Sequence, residues 1–161
     1  MSLREVPVRE VMTADVVTFA PDDNVQTAMQ RLVDLSIDAG PVVDPTGAVV
    51  GMLSTGDLIV EEARVHFPSV VNFFGVNVTW PFDHKELEDS MSKALGASVG
   101  EVMSADVVTI TADSSVEEAA TLMHDHNVSR LPVLDGDARL VGIVARGDIV
   151  KAIVQGVGDP N

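Results

Sequence analysis

The chain has 161 residues, 46% of them hydrophobic, with a formal net charge of -15 at pH 7. This length and apolar content suit one compact domain, or two small ones sharing a core, and exclude global disorder. The acidic balance disfavours nucleic acid and anionic membrane surfaces as partners, since both call for a basic face. The absence of cysteine removes disulfides and thiol chemistry and fits a reducing compartment. The N-terminal stretch lacks the apolar run of a signal peptide, and no apolar stretch approaches a membrane span; the expectation is a soluble, cytoplasmic protein.

Displaced by 91 residues, the chain matches itself. Val8 to Ile59 aligns without gaps on Val99 to Val150, with 20 of 52 positions identical. Each unit opens on Val-Met-Thr or Val-Met-Ser and continues into a β-branched run, Val16–Phe19 and Val107–Ile110, which reads as a short strand. A helix follows. Asp23 with Gln26, and Ser114 with Glu117, are spaced as capping boxes. Apolar stripes follow at Val25, Ala28, Met29, Leu32 and Val33, and at Val116, Ala119, Ala120 and Met123. Two strands joined by a tight turn come next: Pro41–Val43 and Ala48–Leu53 around Asp44–Gly47, then Leu131–Leu134 and Leu140–Val144 around Asp135–Asp137. A closing apolar helix begins at Leu58 and at Ile149. The order is β-α-β-β-α, twice, an α/β arrangement in which two units form a pseudo-twofold pair rather than a solenoid. The expected division is a first repeat with its lead-in over 1–65, an insert over 66–97 and a second repeat over 98–161.

The chemistry concentrates where the second strand of each pair turns into the closing helix, at Gly51-Met-Leu-Ser-Thr-Gly-Asp57 and Gly142-Ile-Val-Ala-Arg-Gly-Asp148. A helix start carries unpaired N–H groups and the positive end of the dipole, which suit a phosphate; a carboxylate beside it can accept hydrogen bonds from sugar hydroxyls. Ser54-x-x-Asp57 is also a plain capping box. In the second copy Ala145 replaces the serine and breaks the box, yet Asp148 remains. Its retention adds weight to a ligand role.

These motifs together resemble the cystathionine-β-synthase (CBS) domain, duplicated as a tandem pair, over nearly the whole chain. The resemblance implies a non-catalytic regulatory module that binds an adenosine-containing ligand (AMP, ADP, ATP or S-adenosylmethionine) between its repeats. It implies a homodimer and a regulated partner protein, with no metal and no catalytic cofactor. Asp57 and Asp148 would hold ribose, and Ser54, Thr55, Arg130 and Arg146 would face phosphate. Adenine would lie against Met12, Thr13, Val16 and Val17 with Ile37, Asp38, Ala39, Gly40 and Pro41, or against Met103, Ser104, Val107 and Val108 with Val128, Ser129, Leu131 and Pro132. Ala145 lacks a hydroxyl and Thr55 lacks the charge of its equivalent Arg146, so the two sites are expected to differ, with Arg130 serving the Ser54–Asp57 site. Surface pairing with acids is the competing role for both arginines.

The insert holds five of the six aromatics: Phe67, Phe73, Phe74, Trp80 and Phe82. Asp83 with Glu86 caps a helix whose apolar stripe is Leu87, Met91, Ala94 and Leu95. The aromatics either pack that helix onto the pair or form a partner surface. The second option makes a structural or interaction module with degenerate clefts the alternative function. His124 and His126, two apart on a helix, point to different faces and are poor joint metal ligands.

Overall fold

The computed structural model describes residues 2–57, 71–73, 76–78 and 96–156. The helix expected after Asp83, the start of the first closing helix beyond Asp57, and the side chains of the aromatic insert lie outside these residues. The chain forms two compact units, one of Met1–Val17, Pro45–Val49 and Asp106–Asn161, the other of Thr18–Asp44 and Val50–Ala105.

In the first unit a 3-10 turn, Val8–Glu10, precedes β5 (Ile110–Thr111), α3 (Val116–Asp125), β6 (Arg130–Leu134), β7 (Leu140–Ala145) and α4 (Arg146–Gln155). β5 pairs in parallel with β6, and β6 pairs antiparallel with β7. The core joins Val116, Ala119 and Met123 of α3 to Leu131, Val133 and Val144 of the sheet, with Ile149 of α4 closing it. Val6 and Val8, at the other end of the chain, are buried in this same core. Their backbone is tied in as well: the Val8 N–H donates to the Ser114 carbonyl at 2.8 Å, and the Val116 N–H to the Val6 carbonyl at 2.9 Å.

The second unit repeats this plan. It contains α1 (Val25–Asp34), β1 (Ala39–Val43), all but the first residue of β2 (Val49–Ser54) and α2 (Val99–Val102). β1 neighbours β2 in a two-stranded sheet. Here residues 97–100 take the place that Val6 to Arg9 hold in the first unit. Val25 N–H donates to the Ala97 carbonyl at 3.0 Å, and Val99 N–H to the Asp23 carbonyl at 2.8 Å. Each repeat's lead-in therefore packs on the body of the other repeat. Within the insert, β3 (Val71–Phe73) and β4 (Val76–Val78) pair antiparallel.

Two local expectations are corrected. The helix caps fall one residue later than the spacing predicts. The Asn24 side chain accepts from Thr27 N–H and the Ser115 hydroxyl from Glu118 N–H. Asp23 is instead used in the preceding turn, where its carboxylate accepts from Ala20 N–H at 2.8 Å, and the Ser114 carbonyl accepts from Val8. The predicted strands Val16–Phe19 and Val107–Ile110 shrink to a single parallel bridge, Phe19 to Val42, and to the two-residue β5. Val16, Val17, Val107 and Val108 lie near where the chain leaves one unit for the other and belong to no strand.

Candidate functional site

Both Gly-h-h-Ser/Ala-x-x-Asp motifs fold as the spacing requires, a strand ending at residue 54 or 145 and a helical turn beginning at once. In the first unit the Asp148 Oδ2 accepts from the Ala145 N–H at 2.8 Å. In the second, Asp57 Oδ2 accepts from the Ser54 N–H at 2.8 Å. The next amide is also taken: Arg146 N–H donates to the Ser129 carbonyl at 3.1 Å, and Thr55 N–H to the Asp38 carbonyl at 2.9 Å. Gly147 and Asp148 carry the remaining first-turn donors, which have no intrahelical acceptors.

The backbone half of the capping box therefore survives at Ala145, because the carboxylate reaches back to a main-chain N–H and needs no hydroxyl at the cap. Retention of Asp148 does not by itself separate a ligand role from capping. What the geometry adds is orientation. Each carboxylate is fixed by one oxygen and keeps a second for other donors. The second oxygen of Asp57 faces the Ser104 hydroxyl at 3.5 Å, at the limit of a hydrogen bond. Burial raises the Asp57 carboxyl above its ordinary value, against the opposing effect of the hydrogen bonds from Ser54 and Ser104.

The structure changes which predicted adenine-contact residues stand together. Ser104 belongs beside β2: its N–H donates to the Met52 carbonyl at 3.0 Å and its carbonyl accepts from Met52 at 2.9 Å. Thr13 makes the same two-way bridge to Ile143 of β7, at 2.9 and 3.0 Å. Met103 and Ser104 therefore join Ile37 to Pro41 and Asp57, whereas Met12 and Thr13 join Val128 to Pro132 and Asp148. The sequence reading groups each lead-in with the strands of its own repeat, with the Ser54–Asp57 site drawing Arg130 from the other; the backbone bridges put each lead-in on the strands of the other repeat. Each candidate site draws residues from both repeats.

Burial is matched between the sites. Ile37, Ala39 and Val128 are half-buried, Asp38 and Ser129 exposed, and Gly40, Pro41, Leu131 and Pro132 buried. Val16, Val17, Val107 and Val108 are half-buried. Ser54 and Thr55 are half-buried beside Asp57. Arg130 is half-buried, with its guanidinium 3.2 Å from the Ser129 hydroxyl. Arg146 is exposed and lines a groove of about 420 Å³ with Ala120, Met123, His124, Ile149 and Val150. His124 and His126 are both exposed.

This doubled plan has known counterparts. A family model described as CBS domain matches residues 8–64 and again residues 99–155, and the chain belongs to that family as a tandem pair. The chloroplastic CBS domain-containing protein CBSX2 of Arabidopsis thaliana is 32% identical over 137 residues, which span 84% of this chain and 57% of that protein. A CBS domain-containing protein of Dictyostelium discoideum is 32% identical over 151 residues, covering 94% of this chain and 93% of its own. The crystal structure of Arabidopsis CBSX2 in complex with AMP matches with a TM-score of 0.69 at 28% identity, covering 93% of this chain and 97% of that one.

Proposed function

We propose that this chain is a non-catalytic, ligand-sensing module that binds AMP or a related adenosine ligand at the sites centred on Asp57 and Asp148 and so regulates a partner protein. The observation that carries the reading is the pair of oriented carboxylates. Each has one oxygen held by a strand-end N–H, so the other is presented without further ordering cost. The AMP complex of CBSX2, 28% identical, supports the ligand class. Ribose hydroxyls donate to the second carboxylate oxygen, in competition with the Ser104 hydroxyl at Asp57, and phosphate takes the remaining first-turn amides, with Ser54 and Thr55 beside Asp57, and with Arg146 and Arg130, the strand partner of Ala145, beside Asp148. The cysteine-free chain is assigned to the cytoplasm; among the described residues no helix is long and apolar enough to cross a membrane.

The same reading includes a homodimer. Val150, Ile153 and Val154 on α4 are 56%, 59% and 77% exposed, an apolar row beside the Met123–Ile149 groove. A second copy offers the identical face for isologous contact. Light scattering at micromolar concentration tests it: Ile153→Lys should convert dimer to monomer, and a wild-type monomer refutes it.

The central test is a thermal-shift panel of adenosine, AMP, ADP, ATP and S-adenosylmethionine, followed by calorimetry. A ligand that binds only the native state raises stability by about 2.7 kcal/mol at a concentration of 100 Kd. No shift with any member of the panel rejects the reading.

A further inference from the structure

Gly51 and Gly142 occupy the same position in the two motifs, near the middle of β2 and β7. Both are buried, and neither has the positive φ that favours glycine. Conformational freedom is therefore not why glycine stands there. Space is. A Cβ on Gly142 would strike the Met12 thioether, come within 3.0 Å of its Cγ and within 3.0 Å of the Thr13 carbonyl oxygen. A Cβ on Gly51 would strike the Met103 sulfur and come within 2.9 Å of its Cγ and 3.0 Å of the Ser104 carbonyl. Each methionine lies across a bare strand, and the residue after it makes the two-way backbone bridge to residue 143 or 52.

We propose that Gly51 and Gly142 are positioning residues for the ligand sites: each is a socket for the lead-in methionine, and seating that methionine sets the lead-in against its aspartate. The claim rests on the AMP reading for its functional half. The thioether tip can swing aside, but Cγ moves only with a change of χ1 and the following carbonyl is held by the backbone bridge. An added methyl group must therefore lift the lead-in from the strand. In the second unit, lifting it withdraws the Ser104 hydroxyl from Asp57. In the first, it withdraws Thr13 from β7. The socket is occupied from the other repeat in both cases, so an intact site reports that the lead-ins are exchanged.

Residue-resolved hydrogen exchange on the ligand-free protein, paired with AMP calorimetry, tests this. Gly142→Ala should speed exchange of the Thr13 and Ile143 amides at least tenfold and weaken AMP binding at least tenfold. Gly51→Ala should do the same at Ser104 and Met52. Adding Met12→Ala to Gly142→Ala removes the two closest clashes and should restore protection of Thr13 and Ile143. The same rescue applies if Gly142→Ala alone fails to fold. Gly136→Ala, at a turn with open space around it, should leave both readouts unchanged. Wild-type protection in Gly142→Ala, or failure of the double variant to recover, overturns the socket. Exposed amides with undiminished AMP affinity overturn the positioning role. If the wild-type protein binds no AMP, the functional reading has failed, and the exchange measurements alone then decide the seating.

Discussion

Thr13 and Ile143 exchange both backbone hydrogen bonds, at 2.9 and 3.0 Å, although they lie near opposite ends of the chain. Ser104 and Met52 do the same in the other unit. These two bridges mark where the lead-in of one repeat joins a strand of the other repeat, beside the candidate site, and the expected effects of several substitutions follow from them.

The lead-in is a core element of the unit it joins. Val8 is fully buried among the second repeat's apolar side chains. Val8→Ala removes two methyl groups and leaves a cavity, which costs about 2 kcal/mol. Urea unfolding followed by a probe in α3 should show the midpoint falling. An unchanged midpoint means the N-terminus does not contribute to that core.

Asparagine at position 148 separates capping from ligand binding. It can still accept from the Ala145 N–H through its amide oxygen, but its other group donates rather than accepts. Asp148→Asn should keep thermal stability close to wild type and weaken AMP at that site by about tenfold or more, as the loss of a charge-assisted hydrogen bond of about 1.5–3 kcal/mol implies. Asp148→Ala should lose both. Calorimetry showing full affinity in Asp148→Asn removes the ribose role from this carboxylate.

Asp57 makes stability depend on pH in a defined direction. Burial raises its folded-state pKa, so the unfolded chain ionises first as pH rises. Its contribution is fully present below the ordinary aspartate value, is lost as pH climbs from there through the raised value, and is constant above it. Asp57→Asn should flatten this part of the profile and raise the melting temperature at pH 7, while weakening AMP. Parallel wild-type and Asp57→Asn profiles across the acidic range contradict the assignment.

Salt should stabilise the protein. Arg4 with Glu117 and Arg9 with Asp113 are exposed ion pairs that tie the N-terminal lead-in to the first turn of α3 and to the turn that precedes it. Exposed pairs contribute little, and salt weakens them. The net charge of -15 acts the other way, since screening relieves self-repulsion throughout the folded chain. The larger effect wins, and the melting temperature should rise between low salt and about 0.5 M, where the Debye length has fallen well below 10 Å. A falling melting temperature puts the two ion pairs in control instead.

The sequence alone determined the repeat, the α/β order and the two aspartates, because hydrophobic period, turn residues and the strand-to-helix motif are local and occur twice. The apolar stripes of α1 and α3 and the hairpin-like strand pairs were legible for the same reason. The caps shifted by one residue because Asp23 and Ser114 are also attractive turn residues, and the choice between neighbours depends on what packs beside them. Only the tertiary structure decided which repeat supplies each lead-in. Met12-Thr13 and Met103-Ser104 are nearly the same words, and either could lie on Gly51 or Gly142 as far as side-chain chemistry goes. The backbone bridges and the burial of Val6 and Val8 settle that choice, through hydrogen bonds and core contacts between residues too far apart in the chain for any local pattern to record.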